Sequence, residues 1–80
     1  MSARSFLLIN CSSGNENDVL DKICALGEKH IREAHMVYGL HDIIVHATGS
    51  SIEEIQEQVI KKIRLFPYVR AMMTLLVIKQ

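Results

Sequence analysis

The chain has 80 residues, of which 49% are hydrophobic, 22% charged and 5% aromatic, with four Gly, one Pro and no Trp. Those proportions fit one ordinary globular domain and exclude disordered, collagen-like and low-complexity classes. Nine basic and nine acidic residues cancel, which argues against direct binding to nucleic acid by phosphate neutralisation and favours self-association.

The first element is expected at Phe6-Leu7-Leu8-Ile9, a short apolar run that reads as a strand ending near Ser12. Ser12-Ser13-Gly14-Asn15 is a turn. Val19, Leu20, Ile23 and Leu26 then recur at helical spacing, with Glu16 and Asp18 in the first turn and Gly27 placed to stop the helix. A second strand is expected over 31–38, a tight connection at Gly39-Leu40-His41, and a third strand from Asp42 to Thr48.

The second helix has clear punctuation. Ser50 and Ser51 stand three residues before Glu53 and Glu54, so either pair can form a capping box. Ile52, Ile55, Val59 and Ile63 form one apolar stripe, Lys61, Lys62 and Arg64 offset the dipole at the end, and Pro67 forbids continuation. The last strand is expected from Val69 to about Lys79. The order is βαββαβ, and the halves match: Ile31 lies 25 positions after Phe6, and Val69 lies 26 positions after Ile43. An α+β, ferredoxin-like sandwich follows, with two helices on one face of a four-stranded antiparallel sheet.

Two helices cover only one sheet face, yet the other is not polar. Phe6 and Leu8 alternate with Leu7, Ile9 and Cys11, Ile44 faces away from Ile43 and Val45, and the last strand is apolar on both sides. A contiguous apolar face of this kind predicts a second copy packed against it.

No GxSxG, P-loop, HExxH or DxDxDG run is present, so no catalytic residue, cofactor or metal is assigned. Cys11 and Cys24 lack CxxC spacing, and no signal peptide or membrane-spanning stretch is evident, which predicts free thiols in a reducing cytoplasm. His30, His35, His41 and His46 fall within 17 residues. His35 and His46 can lie near each other across the hairpin, as a metal pair lacking further ligands or as interface histidines that confer pH dependence. The acidic residues in or beside the helices read as solvated. At Tyr38-Gly39-Leu40-His41-Asp42, the Gly permits close backbone approach to a ligand. Asp42 can either cap turn amides or pair with a cationic ligand group, and Tyr38 offers a ring and a hydroxyl.

Over residues 5–79 the chain resembles the effector-sensing (RAM) domain of Lrp/AsnC transcription regulators. The resemblance rests on Phe6-Leu-Leu-Ile-Asn10, Gly14 before Val19-Leu20, Val37-Tyr-Gly-x-x-Asp-Ile43, and Pro67-Tyr-Val-Arg with Thr74-Leu-Leu-Val-Ile78. It implies sheet-to-sheet pairing, dimers assembling into octamers or decamers, and an amino-acid effector bound beside the turn between strands two and three. By position the ligand contacts are Tyr38, Gly39, Leu40, His41 and Asp42, with Thr48 and Thr74 from neighbouring strands. Only five residues precede strand one, which resembles the stand-alone modules that lack a DNA-binding domain and can pair with a full-length regulator. Leu40-His41 departs from the acidic and aromatic residues common there.

The expectation is therefore a non-enzymatic, oligomeric sensing module that modulates transcription. The alternatives are a small dimeric α+β barrel enzyme of monooxygenase or isomerase type, with Asn10, His35 and His46 as its suspects, and an ACT-like regulatory domain.

Overall fold

The structure, a computed structural model, describes residues 2–79. The chain runs β1 (Ala3–Cys11), α1 (Glu16–Cys24), β2 (Ile31–Met36), β3 (Ile43–Gly49), α2 and β4 (Val69–Leu76). Helix α2 is continuous through three segments, Ile52–Ile55, a π-helical turn at Gln56–Ile60, and Lys61–Arg64. The sheet order is β2-β3-β1-β4 with every neighbouring pair antiparallel. Each βαβ half therefore has one strand of the other half inserted between its own two, as the ferredoxin-like plan requires.

Alternation along the central strands divides the sheet into two faces. Leu7, Ile9, Val45 and Ile43 are fully buried against Val19, Ile23, Ile55, Val59 and Ile63 of the helices. Phe6, Leu8, Ile44 and His46 alternate with them on the open face and are half-buried within this single chain. Ser5 is a fully buried polar residue, and among the described residues its hydroxyl has no hydrogen-bond partner.

Several boundaries differ from expectation. Strand β2 stops at Met36 instead of residue 38; one further bond in the same register, Val37 N–H to Asp42 O at 2.9 Å, closes the hairpin before the connection. Strand β4 stops at Leu76, short of Lys79; one further bond, Val77 N–H to Arg4 O at 3.0 Å, extends its link to β1. Ile52 is exposed rather than part of the buried stripe, and Ile60 is buried in addition. The π-helical turn explains this substitution, since its extra residue rotates Ile60 toward the sheet.

The helix ends follow local chemistry. Ser51 caps α2, its hydroxyl accepting from Glu54 N–H at 3.1 Å. The Glu54 carboxylate turns to Ser50 Oγ at 2.7 Å and His30 Nε2 at 2.9 Å. These bonds hold its pKa below the usual carboxylate range, with the Ser50 hydroxyl the largest cause and His30 next. Gly27 adopts φ +98°, reversing the chain after α1 where a side chain would be strained.

Candidate functional site

The connection between β2 and β3, residues 37–42, is held to the end of β1 by short bonds. Asp42 N–H donates to Ile9 O at 2.9 Å, and the Asp42 carboxylate accepts from Cys11 N–H at 2.7 Å. Asn10 reaches across from the open face: its Nδ2 donates to Leu40 O at 2.8 Å, and its Oδ1 lies 3.0 Å from His41 Nδ1. An amide oxygen can only accept, so this contact places a proton on His41 Nδ1.

What the tethers leave outward is apolar. Tyr38 is fully exposed and Leu40 is 90% exposed, at the tip of a small domain. Gly39 adopts φ +147° between them, a conformation that disfavours any side chain. Among the described residues, the N–H groups of Tyr38, Gly39, Leu40 and His41 meet no backbone partner. The connection thus offers unpaired backbone donors beside two exposed apolar side chains on an anchored loop.

A scan against family models matches the Lrp/AsnC ligand binding domain over residues 4–80. The chain belongs to the Lrp/AsnC family. Among solved structures, this Lrp/AsnC domain is similar to hypothetical protein PHS023 from Pyrococcus horikoshii, with 29% identity, TM-score 0.84, and coverage of 100% of this chain and 93% of that one. It is also similar to E. coli AsnC, with 25% identity and TM-score 0.85; there 98% of this chain aligns with 52% of that one, about half its length. The transcriptional regulator NMB0573 of Neisseria meningitidis, solved as an L-Met complex, shares the fold at 10% identity and TM-score 0.79, over 98% of this chain and 51% of that one. No curated protein matches. The family assigns the domain to regulatory ligand binding.

Tyr38 to Asp42 lie together in this Lrp/AsnC domain because they are contiguous. Thr48 and Thr74 do not join them within one chain. Thr48 is five residues beyond Ile43 along β3, roughly 17 Å away at strand rise, and its hydroxyl donates to Ala3 O at 3.1 Å. Thr74 pairs with Leu7 and so faces the helices, where it lines a groove of about 370 Å³ with Gln56, Ile60, Lys61, Arg64 and Leu76.

The histidines separate into distinct roles. His30 is buried and bonded to Glu54. His35 and His46 bracket Glu33, with His35 Nε2 at 3.1 Å and His46 Nδ1 at 3.9 Å from its two carboxylate oxygens. Among the described residues no group of three or more His, Cys, Asp or Glu is arranged to hold a metal ion. Asn10, His35 and His46 stand on the open side of the sheet, where His35 and His46 line a shallow recess of about 160 Å³ with Phe6, Glu33 and Ile44, and Asn10 is not among its lining residues. Burial pushes the Cys11 thiol up, with Asp42 and then Glu16 adding to the effect, so it is a poor nucleophile. Among the described residues no helix is long and apolar enough to cross a membrane.

Sequence reasoning missed Asn10 as the tether of the connection and Glu54 as the partner of His30. The signal for Asn10 is a polar side chain on the face that Phe6 and Leu8 make apolar.

Proposed function

We propose that this domain is a non-enzymatic sensor in which a small amino acid binds at the 38–42 connection, between copies of the chain. One observation carries the reading: the connection is anchored through Ile9, Asn10 and Cys11, yet presents Tyr38, Gly39 and Leu40 wholly to solvent. An anchored loop exposing apolar side chains and unpaired amides forms half of a site that a second copy completes. The amides suit the α-carboxylate of an amino acid, and the second oxygen of Asp42 suits its α-ammonium group. Tyr38, Gly39, Leu40, His41 and Asp42 are the contacts from one copy. Thr48 and Thr74 enter only from another.

The open sheet face is the proposed pairing surface of the dimer. Met73 and Leu75 are about half exposed there beside Phe6, Leu8 and Ile44, and burial of such a patch favours association at roughly 25 cal/mol per Å² before association costs. Dimers joining through the exposed connection would form rings of eight or ten, and occupancy of a site between them would stabilise the ring over the dimer. The domain would act on transcription in the cytoplasm through this assembly or by pairing with a full-length Lrp/AsnC regulator. The L-Met complex of the fold-sharing regulator supports an amino acid as the ligand class.

Sedimentation velocity of the wild type and Leu8→Lys, with and without an amino acid that binds, tests the reading. A ligand-dependent rise in mass, lost with Leu8→Lys, supports it. A monomer under every condition refutes it.

A further inference from the structure

Along the edge strand β4 the helices leave the core-facing side open. Thr74 pairs with Leu7 and Leu76 with Ser5, and both of those β1 residues are fully buried. Their partners are not: Thr74 is half-buried and Leu76 is 42% exposed. Gln56, Ile60, Lys61 and Arg64 of α2 form the other wall of a groove that encloses about 370 Å³. We propose that this groove binds a short aliphatic carboxylate that carries no ammonium group.

The π-helical turn shapes the groove. Lys61 N–H donates to Gln56 O, five residues back instead of four. The first residue of that turn, Gln56, its last, Ile60, and the residue that closes it, Lys61, all line the groove. Ile60 is buried, while Gln56 stays exposed at the mouth. Such turns interrupt α-helices most often at functional sites, and this one faces the only part of β4 that α2 fails to cover.

Arg64 supplies the anchor. It follows Lys61 by three residues and so shares its side of the helix. Lys61 Nζ already bonds Glu57 Oε1 at 2.6 Å, with both side chains exposed. Among the described residues the Arg64 guanidinium, the Thr74 hydroxyl and the Gln56 amide have no side-chain hydrogen bond or ion pair. A guanidinium presents a planar fork of N–H groups that matches the two oxygens of a carboxylate.

The lining decides the ligand class. Ile60 and Leu76 give the groove an apolar side that an aliphatic chain covers and a phosphate leaves wet. Two cations and no carboxylate in the lining repel an α-ammonium group, so an amino acid binds worse than the acid of the same skeleton without its amine. No residue of the 38–42 connection lines the groove. The inference therefore goes beyond the amino-acid site and does not depend on it.

The test is a ¹H–¹⁵N correlation titration of the intact chain with isocaproate (the leucine skeleton without its amine), with leucine, and with inorganic phosphate at matched ionic strength. Saturable shifts at the Ile60, Lys61 and Thr74 amides are expected with isocaproate, and far weaker ones there with leucine or phosphate. Arg64→Gln, at an exposed position and with a side chain that suits a helix, keeps the dispersed spectrum and weakens isocaproate binding by about tenfold. Arg64→Lys loses less. Shifts that merely follow ionic strength, saturable shifts unchanged in Arg64→Gln, or leucine or phosphate binding at these amides as tightly as isocaproate overturn the proposal.

Discussion

The carboxylate of Asp42 accepts the backbone N–H of Cys11 at 2.7 Å, joining the first residue before β3 to the last residue of β1. Regular β1–β3 pairing ends at Ile9 opposite Ile43, and β1 shifts register against β4 between Asn10 and Cys11. The Cys11 amide therefore sits where the ladder fails, and a side chain replaces the missing carbonyl. Asp42 thus caps β1, whatever second role its other oxygen has.

Removing that cap weakens the fold. A hydrogen bond to a charged acceptor contributes about 1.5–3 kcal/mol, so Asp42→Ala is expected to lose roughly that much in urea denaturation. Asp42→Asn retains an acceptor and loses less. Equal midpoints for wild type and Asp42→Ala would show that the Cys11 bond contributes nothing.

Ser5 offers the opposite case. Its side chain is fully buried and among the described residues its hydroxyl has no partner, so Ser5→Ala removes an unsatisfied group at almost no cost in packing. The variant is expected to be more stable by about 1 kcal/mol, read as a higher thermal midpoint.

Tyr68 adopts φ +74°, the left-handed region, while its carbonyl accepts Ser12 N–H at 2.8 Å. A side chain there costs about 1–2 kcal/mol, and a β-branched one more. Tyr68→Gly is expected to leave the midpoint equal or higher, and Tyr68→Val to lower it.

Acid destabilises the domain in two steps. The folded His46 pKa lies below its ordinary 6.5, through burial first and Arg4 second. Its contribution is present above about that value and is lost as pH falls through the folded value. Glu54 and Glu33 lie below their ordinary 4.5, chiefly through Ser50 and His35 respectively, and their contributions are lost only on further acidification. Unfolding midpoints measured from pH 8 to 3 should fall in both windows. His46→Gln removes the upper step, and Glu54→Gln reduces the lower one.

Much of this fold was legible because its cues are local. Gly27 and Ser51 mark helix ends by their own chemistry, and alternation along Phe6 to Cys11 reports two sheet faces. The π-helical turn was not legible: Ile52, Ile55, Val59 and Ile63 fit an unbroken helix, and only packing against the sheet recruits Ile60. The 38–42 connection was visible as a motif, but its anchoring depends on Asn10 and Cys11, about thirty residues earlier in the chain.

The most direct measurement is a thermal-shift screen against the twenty amino acids at millimolar concentration, with Gly39→Val as the paired variant. Ligand at 100 times its dissociation constant adds about 2.7 kcal/mol, a clear rise for a domain of this size. The account predicts a rise with one amino acid or a small chemically related group, absent from Gly39→Val, which folds because the connection is exposed. No rise with any amino acid, or one undiminished in Gly39→Val, would contradict an amino-acid site at the 38–42 connection.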